Sequence, residues 1–303
     1  MRCHSSASGI NTDFFVLWER TFLPVIPLLR IYHIDTLNKP GLEPYKTLRQ
    51  TADHRDQGIF VAEGDKVVAR LLERPDGVVS FLMTPEWLDV HRSVLESLPG
   101  TVAVFVAEKS LLNTIVGFHL HQGIMAVAKI PEPANLGTLV TRSKRPFLLV
   151  AVDGITNSEN LGVLVRNCAA FGVQGLVVGE TSSSPYLRRA VRNSMGTIFR
   201  LPVVNSENLA ATLRELSTSH SVRVIAAHPH TEHHQLSDMD FRRDCCIVFG
   251  SEGTGISAGV LAACDESAAI PMAEGVDSLN VSNASAVFLY EVARQRGAKT
   301  PLA

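Results

Sequence analysis

The segment GVDSLNVSNASAVFLYE, residues 275–291, sets four small polar side chains, Ser278, Asn280, Ser282 and Asn283, at the entrance to an apolar run. Ser and Asn there can accept hydrogen bonds from the free N–H groups of a first helical turn. One helix needs one such cap, so the surplus points to a loop that also holds a ligand. The apolar run itself predicts a helix starting near Ala284. A second loop, GSEGTG at 250–255, offers three glycines directly after a strand-like run, and glycine lets backbone N–H groups approach a ligand closely. It lacks the Lys-Ser/Thr ending of a phosphate-binding P-loop, and it comes too late in the chain for a dinucleotide fingerprint. A bare turn is the competing reading. A third stretch, GITNSENLGVLVR at 154–166, carries Asn160 and Arg166 six residues apart, about two turns if one helix holds both.

Other chemistries lack their residues. Five cysteines form no CxxC pair, which fits buried thiols in a reducing compartment better than a disulfide framework. HPHTEHH at 228–234 has four histidines and Glu232, but its spacing matches no metal motif, so it reads as a solvated loop and no metal is expected. There is no GxSxG elbow and no HExxH helix. The net charge of −2 means that nucleic-acid binding would rest on local basic patches. Arg188 and Arg192, four apart on one helical face, form one such patch, and Arg145 in TRSKRP another. Both are read as phosphate contacts, against the alternative of solvated surface.

These residues need a scaffold, and 303 residues with 46% hydrophobic side chains supply two domains. Residues 1–30 form a peripheral extension whose apolar stretch is too short and broken to span a membrane. Residues 31–129 alternate strands and helices as a small α/β domain. Residues 130–146, with three prolines, read as a linker. From 147 to 303, FLLVAVD, GLVVGE, VRVIAAH, CCIVFGS and SAAIPM are near-continuous apolar runs, as expected of parallel strands buried on both faces. Helical patterns separate most of them, giving a doubly wound α/β domain with its ligands at the carboxyl ends of the strands.

In order and spacing, NLGVLVRNCAAFGV, IVFGSEGTGIS and IPMAEGVDSLNVS resemble the three motifs of the SpoU (TrmH) family of RNA ribose 2′-O-methyltransferases. FVAEGDKVVARLL and HQGIMAVA upstream are similar to that family's RNA-binding domain. The resemblance implies a deep trefoil knot in the C-terminal domain, S-adenosylmethionine as cofactor, a cytoplasmic homodimer, and an RNA substrate, with ribosomal RNA ahead of tRNA. A catalytically silent RNA-binding module is the rival reading. By the same resemblance Gly250, Gly253, Ile270, Met272 and Leu279 line the cofactor pocket. Arg166, Asn160, Glu252, Ser278 and Asn280 form the active site, and Ser194 lies near it on the RNA side. Arg166 either relays the 2′-hydroxyl proton or, as a permanently charged guanidinium, anchors phosphate and stabilises alkoxide charge.

Overall fold

The computed structural model describes residues 29–48, 50–116, 123–229 and 234–297. The expected N-terminal extension lies outside these, apart from its last two residues, as do residues 230–233 of the histidine-rich loop. The chain opens with β1 (Arg30–His33), α1 (Glu43–Lys46), α2 (Thr51–Asp56), β2 (Ile59–Glu63) and α3 (Asp65–Leu72). It continues with β3 (Val78–Met83), α4 (Pro85–Leu95), β4 (Ala103–Val106), α5 (Lys109–Val116) and β5 (Ile124–Lys129). Their five strands pair in the order β1-β4-β3-β5-β2, with β5 antiparallel to both of its neighbours.

The second half contains α6 (Leu136–Arg142), β6 (Leu148–Val152), α7 (Ser158–Ala170), β7 (Gly175–Val178), α8 (Arg188–Asn193) and β8 (Val203–Asn205). There follow α9 (Leu209–His220), β9 (Arg223–Ala227), β10 (Cys245–Phe249), α10 (Ala258–Leu261), β11 (Glu266–Ala268) and α11 (Val281–Gln295). The six strands are all parallel, in the order β11-β9-β10-β6-β7-β8. Alternation within each strand shows why the runs are apolar throughout. Leu148, Val150 and Val152 face one core, and Leu149 and Ala151 face the other. Both faces are covered by helices, so neither tolerates a polar residue.

Residues 130–146 are not a bare connector. Asn135 accepts a hydrogen bond from the Thr138 N–H, capping α6, and Leu136, Leu139 and Val140 of that helix are buried against the C-terminal sheet. Pro131 and Pro133 precede the helix and Pro146 follows it, so none interrupts it. The two halves also share one apolar core, in which Phe60 of β2 stacks on Phe199 at 5.4 Å and packs at a tilt against Tyr186 at 5.7 Å. No helix among the described residues is long and apolar enough to cross a membrane.

Candidate active site

The carboxyl ends of β9, β10 and β11 open into a cleft of about 440 Å3. Phe249, Ile270, Met272, Leu279 and Phe288 give it an apolar wall, and residues 250–255 give it a polar rim. The expected cofactor residues Gly250, Gly253, Ile270, Met272 and Leu279 therefore come together, joined by Ser278 and Glu252. The loop's shape depends on Gly250. A Cβ there would lie 2.2 Å from the carbonyl carbon of Gly255, so the two limbs of the loop touch backbone to backbone. Ser251 and Gly255 exchange N–H···O bonds of 3.0 Å, and the Ser251 and Thr254 hydroxyls pair at 2.8 Å.

The first turn of α7 and the N-cap of α11 meet at the tip of this loop. The side-chain amide of Asn280 donates to Glu252 Oε1 at 2.7 Å and to Asn160 Oδ1 at 3.3 Å. The Asn160 amide donates to the same Glu252 oxygen. Glu252 thus gathers side-chain amides, not the backbone N–H groups of a helix start. Asn280 also serves the helix that follows it, as the N-cap of α11, accepting from the Ser282 N–H at 2.9 Å. The helix accordingly begins at Val281, ahead of the expected Ala284. Ser282 and Ser285 are buried polar positions on α11, and both meet the Asn167 amide of α7: the Ser282 carbonyl at 2.8 Å and the Ser285 hydroxyl at 3.0 Å. Only Asn280 caps; the neighbouring serines serve to dock α11 on α7. Asn167 was missed because nothing in its helical spacing sets it apart from a surface amide.

Arg166 occupies the exposed face of α7 and does not line the cleft. Among the described residues its guanidinium has no hydrogen-bond or ion-pair partner. The expected RNA contacts fare differently. Arg188 and Arg192 both donate to Glu63 of β2, where Glu63 is 7% exposed, so α8 commits these charges to the N-terminal half. Arg145 pairs with Asp244 and lies over the Phe147 ring. Ser194 is fully buried, donating to the Val191 carbonyl at 2.8 Å and accepting from the Gly196 N–H. It shapes the end of α8 and does not line the cleft. No sequence signal marked Glu63 as the partner, since it lies 125 residues upstream of Arg188.

A thiol nucleophile finds no place here. Burial pushes Cys245 up to about 11 and Cys264 up to about 12, so neither is a thiolate near neutral pH. No group of three or more candidate metal ligands occurs among the described residues.

A doubly wound parallel domain with a wide, half-apolar cleft beyond its strand ends is the architecture of a nucleotide- or nucleoside-binding enzyme. Comparison narrows this class. Residues 147–290 match the SpoU rRNA Methylase family model. A protein of Mycobacterium bovis named as an uncharacterized tRNA/rRNA methyltransferase is 31% identical over 265 residues, covering 84% of this chain and 89% of its own. Other curated relatives, 36% identical, are matched over 66% of their length, about two thirds. Among solved structures, the SpoU methyltransferase AviRb of Streptomyces viridochromogenes, in complex with the cofactor AdoMet, superimposes with a TM-score of 0.73 at 25% identity. That match covers 85% of this chain and 98% of the other. A structure described as an RNA 2′-O ribose methyltransferase matches at 0.69 and 25%, over 88% and 99%. The chain belongs to the SpoU family of RNA methyltransferases, whose cofactor is S-adenosylmethionine. The cleft fits that cofactor in volume and in its pairing of an apolar wall with a polar rim.

Proposed function

We propose that the protein methylates a ribose 2′-hydroxyl of RNA, of ribosomal RNA in preference to tRNA. The observation that carries this reading is the junction of Asn160, Glu252 and Asn280 at the lip of the cleft. An amide–carboxylate cluster beside the cleft suits the task of orienting a ribose toward the bound cofactor. Likeness to a 2′-O ribose methyltransferase supports the same choice. So does the chemistry, because a hydroxyl target calls for orientation and charge stabilisation without an attacking thiol.

Gly250, Gly253, Ile270, Met272 and Leu279 hold S-adenosylmethionine, which supplies an electrophilic methyl group. Glu252 fixes the two asparagines, and these orient the nucleoside. Arg166 anchors the target phosphate and stabilises developing alkoxide charge. A guanidinium does not give up its proton at working pH, which speaks against its acting as the base. Because Arg166 lies on α7 away from the cleft of its own chain, we place it in the site of a second copy. Val287 and Tyr290 of α11 stay exposed beside α7 and supply an apolar surface for such a homodimer. Residues 31–129 bind the RNA, residues 147–303 carry the chemistry through the knotted arrangement of the family, and the cytoplasm is the place of work.

The test is transfer of labelled methyl from S-adenosylmethionine to fractionated cellular RNA, with Arg166→Ala alongside and digestion to nucleosides. Label in 2′-O-methylnucleosides of one RNA class, lost in the variant, is the expected result. Cofactor binding without transfer to any RNA would favour a silent RNA-binding module.

A further inference from the structure

We propose that Asp153, which is not among the residues lining this cleft, is the positioning residue of the cofactor loop, gripping both of its feet so that the cleft is formed before any ligand arrives. The inference rests on the cofactor occupying that cleft. Asp153 is the first residue beyond β6, the strand that pairs in register with β10. Its backbone N–H donates to the Phe249 carbonyl at 2.9 Å, immediately before Gly250. Its carboxylate accepts from the Ser257 N–H at 2.7 Å, immediately after Ile256. One residue therefore ties down both ends of the segment 250–256. The bonds between Ser251 and Gly255 and between Ser251 and Thr254 close the loop on itself but do not attach it to the sheet. Gly154 completes the seat, since a Cβ on it would meet the Ser251 Cβ at 3.5 Å.

Asp153 is 6% exposed, and the remaining partner of its carboxylate is the Thr181 hydroxyl at 3.4 Å. A buried carboxylate is a costly choice where an apolar residue would pack, unless its hydrogen bonds do something that packing cannot. Here the bond orients the backbone of a loop whose residues 250–255 line the cleft. A loop held in its binding shape loses little freedom when the ligand arrives, and that gain appears as affinity. Glu252, at the tip of the same loop, takes its position from the same grip.

The experiment measures S-adenosylmethionine binding to the full chain by calorimetry, and KM for the cofactor and for RNA. Asp153→Ala removes the acceptor from the Ser257 N–H and is expected to weaken cofactor binding by about tenfold or more. KM for the cofactor should rise in step while KM for RNA stays within about twofold, a split that general loosening of the fold would not produce. Asp153→Asn can still accept from Ser257 and donate to Thr181, so binding should return to within about threefold of the wild type. Ser257→Pro attacks the same bond from the other side. Ser257 has φ of −63°, which proline adopts, so this variant deletes the N–H donor and should weaken cofactor binding like Asp153→Ala even if that variant does not fold. Wild-type affinity in Asp153→Ala or Ser257→Pro overturns the inference, as does equal loss in Asp153→Asn and Asp153→Ala. Failure of the wild-type protein itself to bind S-adenosylmethionine would instead overturn the functional reading.

Discussion

Glu252 accepts from two asparagines that reach it across 92 and 28 residues of sequence. All three side chains are at least partly exposed, so the cluster adds little to folding stability. Its contribution is geometric, and Glu252→Ala should separate the two. Methyl transfer is expected to fall roughly 10- to 100-fold while the thermal midpoint moves by no more than about 2 °C, readable from a transfer assay and a melting curve on one preparation. Arg166→Ala should cost roughly 100- to 1000-fold in kcat, the scale of a lost charge-stabilising donor, and should leave the affinity for S-adenosylmethionine unchanged. A comparable loss of cofactor affinity would remove Arg166 from the role given to it. These residues were legible because three loops with polar residues follow three strand-like runs in a recognisable order. Ser194 and Arg188 sit in an equally polar stretch, yet one is buried in a turn and the other is committed to Glu63. Local sequence does not distinguish a side chain that meets a ligand from one that meets a distant part of its own chain.

Elements follow the same pattern. The apolar runs of β6, β7, β9 and β10 became strands because they are buried on both faces, and they were legible for that reason, whereas only Ser267 and Ala268 of the SAAIPM run fall in the short, half-exposed β11. β8 is only three residues long, too short to register as a run, and α6 was hidden behind prolines that stand outside it. The start of α11 moved from Ala284 to Val281 because its first turn is held by Asn280 and Asn167 and by the buried Val281. Replacing that cap by Asn280→Ala should destabilise the protein by about 1 kcal/mol, measurable by urea denaturation, in addition to its effect on transfer. Gly250→Ala acts on the loop before α10. The added methyl would meet backbone, which has no rotamer in which to retreat, so the limbs of the loop must part. Cofactor binding should be lost in calorimetry while the far-ultraviolet dichroism of the sheet and helices persists.

At the scale of the whole molecule, the two halves are joined by charge as well as by Phe60, Phe199 and Tyr186. Arg188, with a side chain 15% exposed, faces Glu63, and Arg200 pairs with Glu73 across the same seam. Removing one partner of a buried pair leaves an uncompensated charge, so Glu63→Ala should cost about 3–5 kcal/mol, against less than about 1 for Glu73→Ala at the exposed pair. His54 lies against this seam, 6% exposed and lining a small cleft with Arg188. Burial first, and the Arg188 charge in addition, hold its imidazole below the usual 6.5, although the Pro44 carbonyl and Asp53 pull the other way. The sign of the consequence follows from proton binding. Between the lowered folded value and 6.5 the unfolded chain takes up a proton that the folded chain refuses, so stability is complete above 6.5 and declines as pH falls through that window. Its Nε2 shares a 3.0 Å hydrogen bond with the Thr47 hydroxyl, a contact that glutamine can reproduce without titrating. Thermal midpoints from about pH 7.5 down to about pH 5.5 should therefore fall more steeply for the wild type than for His54→Gln, the difference opening only below about 6.5. Parallel curves would mean that His54 binds its proton equally well folded and unfolded, and that the seam imposes no charge penalty on it.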